Sequence, residues 1–141
     1  MKTHRLVFVY GTLKRGHGNN AVLHAGEAKL IGYAVTMEKY FLFGGGFPKM
    51  ARTLGPQQLP HIKAAKYAGR VVGEVWRIDD RSLAACDGLE GNGVLYQRHE
   101  IDVKLHKDAR VGKVWAYFIL HTPPYSDLIL PNKGELEWVG R

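Results

Sequence analysis

Only one cysteine, Cys86, stands in the chain, so an intramolecular disulfide framework is impossible. That favours a reducing compartment, and the cytoplasm is the expected location. Serine is almost as scarce: Ser82 and Ser126 both lie outside any G-x-S-x-G setting, which speaks against a serine hydrolase. No apolar run approaches the roughly 20 residues that a membrane-crossing helix needs, so no membrane association is expected. The opening "MKTHRLVFVY" has too short an apolar run, and no small-residue cleavage site, to read as a signal peptide. The 7 histidines form no H-E-x-x-H and find no cysteine pair, so no metal site is expected. Acidic residues are the scarcer charge, 13 against 20 bases, for a net charge of +7. The bases are scattered from Arg5 through Arg70 and onward rather than gathered in a tail. A solvated basic surface is the simpler reading, and a nucleic-acid partner is not expected.

What the chain does have is enough length and apolar content for one globular domain. Its 141 residues are 45% hydrophobic and 23% charged, with no fixed-period repeat and no low-complexity stretch. Residues 5–10, "RLVFVY", read as a buried strand. Asn19 or Asn20 can cap a short helix over "NNAVLHAG" that Gly26 ends. Residues 28–36 read as a second strand. "YFLFGGGFPKMAR" reads as a strand, a glycine bend and an extended piece, and "GPQQLPHIKAAKYAG" as loop. Residues 68–79 form a strand, after which Asp79 or Asp80 caps a short helix, "RSLAACDGLEG". "LYQRHEIDVKLH" alternates strictly and "GKVWAYFILH" follows as another strand. The final residues, 122–141, begin as a proline-rich loop and are expected to fold back over the domain. Six strands with two short helices do not make a βαβ series. An α+β domain with a curled, mixed sheet is expected, and closure into a small barrel would remove exposed edges.

Two stretches carry candidate chemistry. In "VFVYGTLKRG" a strand stops at Gly11. The glycine allows a sharp turn and a close approach. The N–H groups of Gly11, Thr12 and Leu13 can then converge on a carboxylate or phosphate. An ordinary turn accounts for the same residues. A P-loop does not fit, because His17 and Gly18 stand where Lys and Ser/Thr are required. In "CDGLEGNGVLYQR", Asp87 and Glu90 lie three apart where a helix gives out, with Gly88, Gly91 and Gly93 around Glu90. Small neighbours leave room at a carboxylate, although glycines also simply end helices. Cys86 reads as packing rather than as a nucleophile. His17, His24 and His61 read as surface or loop residues, and Trp76, Trp115 and Tyr117 as core.

Taken together, "FVYGTLKRG-x-x-N", "FPKM", "GEVWRID" and "CDGLEG-x-x-x-LYQR", in that order, resemble the γ-glutamylcyclotransferase-like superfamily, in its γ-glutamylamine cyclotransferase and AIG2-like branch. The resemblance runs from Phe8 to about Tyr117. It implies a single domain over 1–141, folded as a small mixed β-barrel with short flanking helices. It implies that Tyr10, Gly11, Thr12 and Leu13 hold the α-carboxylate end of a γ-glutamyl group. It assigns Glu90 as the acid/base, and Tyr96, Arg98 and Tyr117 to the substrate. It also implies a small-molecule γ-glutamyl substrate cleaved to 5-oxoproline and a free amine, with no metal or cofactor. Cys86 stands where the family usually has leucine, and residues after His121 match no family segment. The alternative is a non-catalytic module that binds a small carboxylated metabolite.

Overall fold

The computed structural model describes residues 4–45, 47–55 and 63–139. Strands β1 (His4–Val9), β2 (Ala28–Thr36), β5 (Arg70–Asp79), β6 (Tyr96–Leu105) and β7 (Val111–Ile119) pair in the order β1-β7-β6-β2-β5, and β5 pairs back onto β1. The five strands therefore close a barrel. β1 runs parallel to β7 while the other four pairings in the ring are antiparallel, so the barrel is mixed, as the sequence leads one to expect. A short hairpin, β3 (Phe41–Phe43) and β4 (Lys49–Ala51), forms its own two-stranded sheet, and β3 is bridged to the C-terminal segment through Phe43 and Leu128.

Side-chain alternation makes two cores from one sheet. Phe8, Val75, Ile101, Val103, Val114, Ala116 and Phe118 point into the barrel. Their neighbours Val7, Val9, Trp76, Ile78 and Tyr117 point outward. Helix α2 (Asp80–Glu90) covers that outer face with Leu83 and Cys86. Cys86 is fully buried there, and burial pushes its thiol up to about 12, in keeping with a packing role.

Of the two aspartates able to start α2, Asp79 is the cap. Its Oδ1 accepts from the Ser82 N–H at 3.0 Å and its Oδ2 from the Glu27 N–H at 2.9 Å. The other end of α2 is set by Gly91, whose φ of 58° is left-handed and whose N–H closes onto the carbonyls of Asp87 and Gly88. This stop leaves Glu90 as the last helical residue.

Two expectations need correction, and a third, that the final segment begins as a loop and folds back over the domain, gains detail. Asn20–Ala25 is a 3₁₀ turn that neither Asn19 nor Asn20 caps through its side chain. Their amides turn back instead onto Thr12 Oγ1 (2.9 Å) and the Leu13 carbonyl (2.8 Å), because the loop after β1 offers buried acceptors that compete with the helix end. The stretch expected to be all loop contains one helical turn, α1 (Ala64–Tyr67); the rest of that expectation, residues 56–62 with His61, lies outside the described residues. The final segment is more ordered than a loop. It forms a 3₁₀ turn at Tyr125–Asp127 and strand β8 (Glu135–Leu136), which lies parallel to the start of β5. Leu136 and Trp138 are buried in the barrel core, and that burial holds the segment down.

Candidate active site

The loop that leaves β1 is pinned from several sides. Lys14 N–H closes a turn on the Gly11 carbonyl at 3.0 Å. The Arg15 N–H donates to Glu74 Oε1 at 2.8 Å, and the same oxygen takes the Trp76 indole N–H at 3.0 Å. Lys14 Nζ reaches the Trp138 carbonyl at 2.7 Å. Held in this way, the N–H groups of Gly11, Thr12 and Leu13 donate to no described residue. Gly11 is required for packing: a Cβ there would overlap the Pro48 ring.

A cavity of about 350 Å³ lies against this loop. Tyr10, Gly11, Thr12, Leu13, Glu90, Tyr96 and Tyr117 all line it, so residues far apart in sequence share one wall. Asn19, Phe47, Pro48, Leu89, Leu95 and Ile119 also contribute, and none of these stood out in the sequence as a site residue. Except for Ile119, they left a trace only as motif positions: Asn19 ends "FVYGTLKRG-x-x-N", Phe47 and Pro48 open "FPKM", and Leu89 and Leu95 lie within "CDGLEG-x-x-x-LYQR". Phe47 and Pro48 arrive from the β3–β4 hairpin, which no local pattern connects to the β1 loop.

Arg98 is placed elsewhere. It is absent from the cavity wall, and its guanidinium lies 4.6 Å over the Trp115 ring and donates through Nε to Asp87 Oδ1 at 2.9 Å. The same Asp87 oxygen accepts the Tyr117 hydroxyl at 2.5 Å. Residues Arg98 and Tyr117 are cross-strand partners on β6 and β7, so both can reach one carboxylate on α2. This arrangement ties the last turn of α2 to the barrel, directly before Glu90.

The Glu90 carboxyl group makes no hydrogen bond or ion pair with any described residue. Burial alone pushes its carboxyl up to about 7. Three hydroxyls stand near it. Tyr10 donates to the Tyr117 carbonyl at 2.7 Å and accepts from the Met50 N–H at 3.3 Å. Tyr96 donates to the Pro48 carbonyl at 3.3 Å, the longest of the three donor contacts, and Tyr117 is committed to Asp87. Burial raises all three phenols above their ordinary range, so they remain proton donors at neutral pH. A carboxyl group that titrates near neutrality, in a cavity also lined by the Gly11–Leu13 backbone and by three tyrosines, can both take and return a proton.

The model of the gamma-glutamyl cyclotransferase, AIG2-like family matches residues 7–138. The chain is 37% identical to the Homo sapiens gamma-glutamylaminecyclotransferase, over 76% of this chain and 67% of that protein. It is 29% identical to a putative gamma-glutamylcyclotransferase of Methanocaldococcus jannaschii, over 92% of each. Among solved structures, an AIG2-like protein from Mus musculus superposes with a TM-score of 0.73 at 25% identity, covering 97% of this chain and 90% of that one.

Proposed function

This chain belongs to the gamma-glutamyl cyclotransferase, AIG2-like family, and from that premise we propose that it cleaves a γ-glutamyl amine by internal aminolysis. In this reaction the substrate's α-amine attacks its own γ-carbonyl. One C–N bond forms, the five-membered ring of 5-oxoproline closes, and the original C–N bond breaks to release an amine. The nucleophile is tethered, so folding the chain into attack geometry does much of the work, and well-oriented intramolecular reactions reach effective molarities on the order of 10⁵–10⁸ M.

The observation that carries this reading is Glu90: a carboxyl group without a hydrogen-bond or ion-pair partner among the described residues, raised to about 7, in a cavity that Gly11, Thr12 and Leu13, whose N–H groups donate to no described residue, also line. Those N–H groups take the α-carboxylate. Glu90 removes a proton from the α-ammonium, which cannot attack while protonated, and passes it to the departing amine, which cannot leave without it. Tyr96 holds the loosest donor contact of the three phenols and turns to the carbonyl oxygen as charge develops there. Arg98 acts at one remove, neutralising Asp87 so that Tyr117 and α2 stay in place. The domain is expected to work as one unit in a compartment that keeps Cys86 reduced, and without a cofactor.

The test is to incubate the protein with γ-glutamyl methylamide and with its α-N-acetyl analogue. The first should yield 5-oxoproline and methylamine in equal amounts. The second should be inert, because its nitrogen cannot attack. Release of glutamate, or turnover of the acetylated compound, would show hydrolysis and overturn the reading.

A further inference from the structure

We propose that the protein has a second ligand site, at the other end of the barrel, which takes a small amphipathic acid: its apolar tail enters the barrel and its acidic head lies against Lys29, Arg77 and Arg110. The active-site cavity is built on the ends of β1 and β7 and the start of β6. A second cavity, of about 250 Å³, lies at the opposite ends of β6 and β7, where Val103, Leu105, Gly112 and Val114 meet Leu6 of β1 and Val75 of β5. The two cavities share no described residue.

This cavity is there because a side chain is missing. Val103 points into the barrel, and Gly112 is its cross-strand partner, so position 112 faces inward too. A Cβ at Gly112 would meet nothing within 4 Å. Its φ is not left-handed, and the β6–β7 register runs through it without a shift. A glycine inside a strand marks a bulge, a bend or the close approach of a ligand or another backbone. Here there is no register shift and no backbone near enough to require it, and what remains is room for a ligand. Val103 and Val114 are almost fully buried and form the floor, while Leu6 and Val111 are 37% and 54% exposed and form the mouth. Apolar cavities of about 150 Å³ already stay dry and admit benzene, so this one suits a hydrocarbon tail.

The rim supplies the charge. Arg77 follows Val75 by two residues on β5 and is the cross-strand partner of Leu6, so its side chain leaves the sheet on the cavity's side. Lys29 stands directly opposite Arg77 on β2. Like charges so placed repel each other, and neither side chain makes a hydrogen bond or ion pair with a described residue. Arg110 is the one charged side chain on the described wall, and only its Nε is hydrogen-bonded, to Asp108 at 3.1 Å. An acidic head at this rim relieves the repulsion between Lys29 and Arg77, while its tail covers apolar side chains that otherwise face water.

The experiment is an NMR titration of backbone amides with octanoate, octanol and acetate, and it measures no turnover, so its failure leaves the cyclotransferase reading intact. Octanoate should saturate, moving the amides of Val103, Gly112 and Val114, and should bind tighter than octanol by about fivefold or more. Acetate, which has no tail, should leave these amides unmoved. Arg77→Gln, at an exposed position, should bring the octanoate-to-octanol affinity ratio toward about one. Gly112→Leu should abolish binding of both by filling the cavity, with a melting temperature at or above that of the wild type, since a strand glycine is itself destabilising. No saturable octanoate binding, shifts confined to Gly11–Leu13, octanol binding as tightly as octanoate, or a folded Gly112→Leu protein that binds octanoate like the wild type would each overturn the inference.

Discussion

Glu90→Gln is expected to lower kcat for 5-oxoproline release by about 10³-fold or more, because in the proposed reaction one side chain carries both proton transfers and such transfers are each worth about 10²–10⁴. Glutamine keeps the size and can still hydrogen-bond, so the loss should fall on kcat rather than on substrate affinity. The same substitution should affect stability in the opposite sense. The folded protein raises the Glu90 carboxyl from 4.5 to about 7, so it favours the neutral form. The stabilisation from a neutral Glu90 is complete below pH 4.5 and is lost as pH climbs through about 7. Fully ionised, the buried carboxylate costs up to about 3 kcal/mol, less to the extent that water in the cavity screens it. The melting temperature of Glu90→Gln should therefore match the wild type near pH 4.5 and exceed it increasingly toward pH 8. A variant equally stable at both ends of that range, or one that retains full turnover, would contradict this account of Glu90.

The second large effect is expected at Asp87. Asp87→Ala removes the acceptor that both Arg98 Nε and the Tyr117 hydroxyl use. Arg98 is then left half-buried without its counter-charge, and the Tyr117 hydroxyl loses its partner. Losing one member of a partly buried pair costs about 1–3 kcal/mol. It also releases the last turn of α2, so Glu90 loses its alignment with the β1 loop, and kcat should fall by roughly 10- to 100-fold. Asp87→Asn keeps an oxygen in the position both donors use, and should recover most of the stability and much of the rate. Chemical denaturation and steady-state kinetics on the two variants measure this. If Asp87→Ala turns over normally, the tie between α2 and the barrel has no part in positioning Glu90.

How far these roles were legible in the sequence depended on the range of the interactions behind them. Glu90 drew notice locally, as the residue before the glycine that ends the helix capped at Asp79, but its acid/base role came only from the resemblance. Alternation marked the strands and a curled mixed sheet, and the resemblance added the barrel; the closed sheet preserves that alternation residue by residue, with Phe8 inside and Val7 outside. Gly11 was visible as a break after a strand, but the requirement for glycine comes from Pro48, 37 positions away, whose ring occupies the space of a side chain. Asn19 and Asn20 followed the usual preference for helix caps, yet the acceptors of the neighbouring loop took their amides. Arg98 matched a motif, but its direction depends on β6–β7 register and on the approach of Asp87 from α2. Phe47, Leu89 and Leu95 fell within the quoted motifs, but that they line one cavity depends on the hairpin and the end of α2 meeting in space, which no local pattern shows.

The central claim is that the ionisation of Glu90 limits the reaction. The most direct measurement titrates the Glu90 side-chain carboxyl by ¹³C NMR in the free enzyme and compares it with the pH dependence of kcat/KM, which reports the free enzyme's essential base. The account predicts that Glu90 titrates near pH 7 and that kcat/KM falls on the acid side with the same midpoint. A Glu90 that titrates near 4.5, or a kcat/KM that stays level across the pH range in which Glu90 gains its proton, would contradict it.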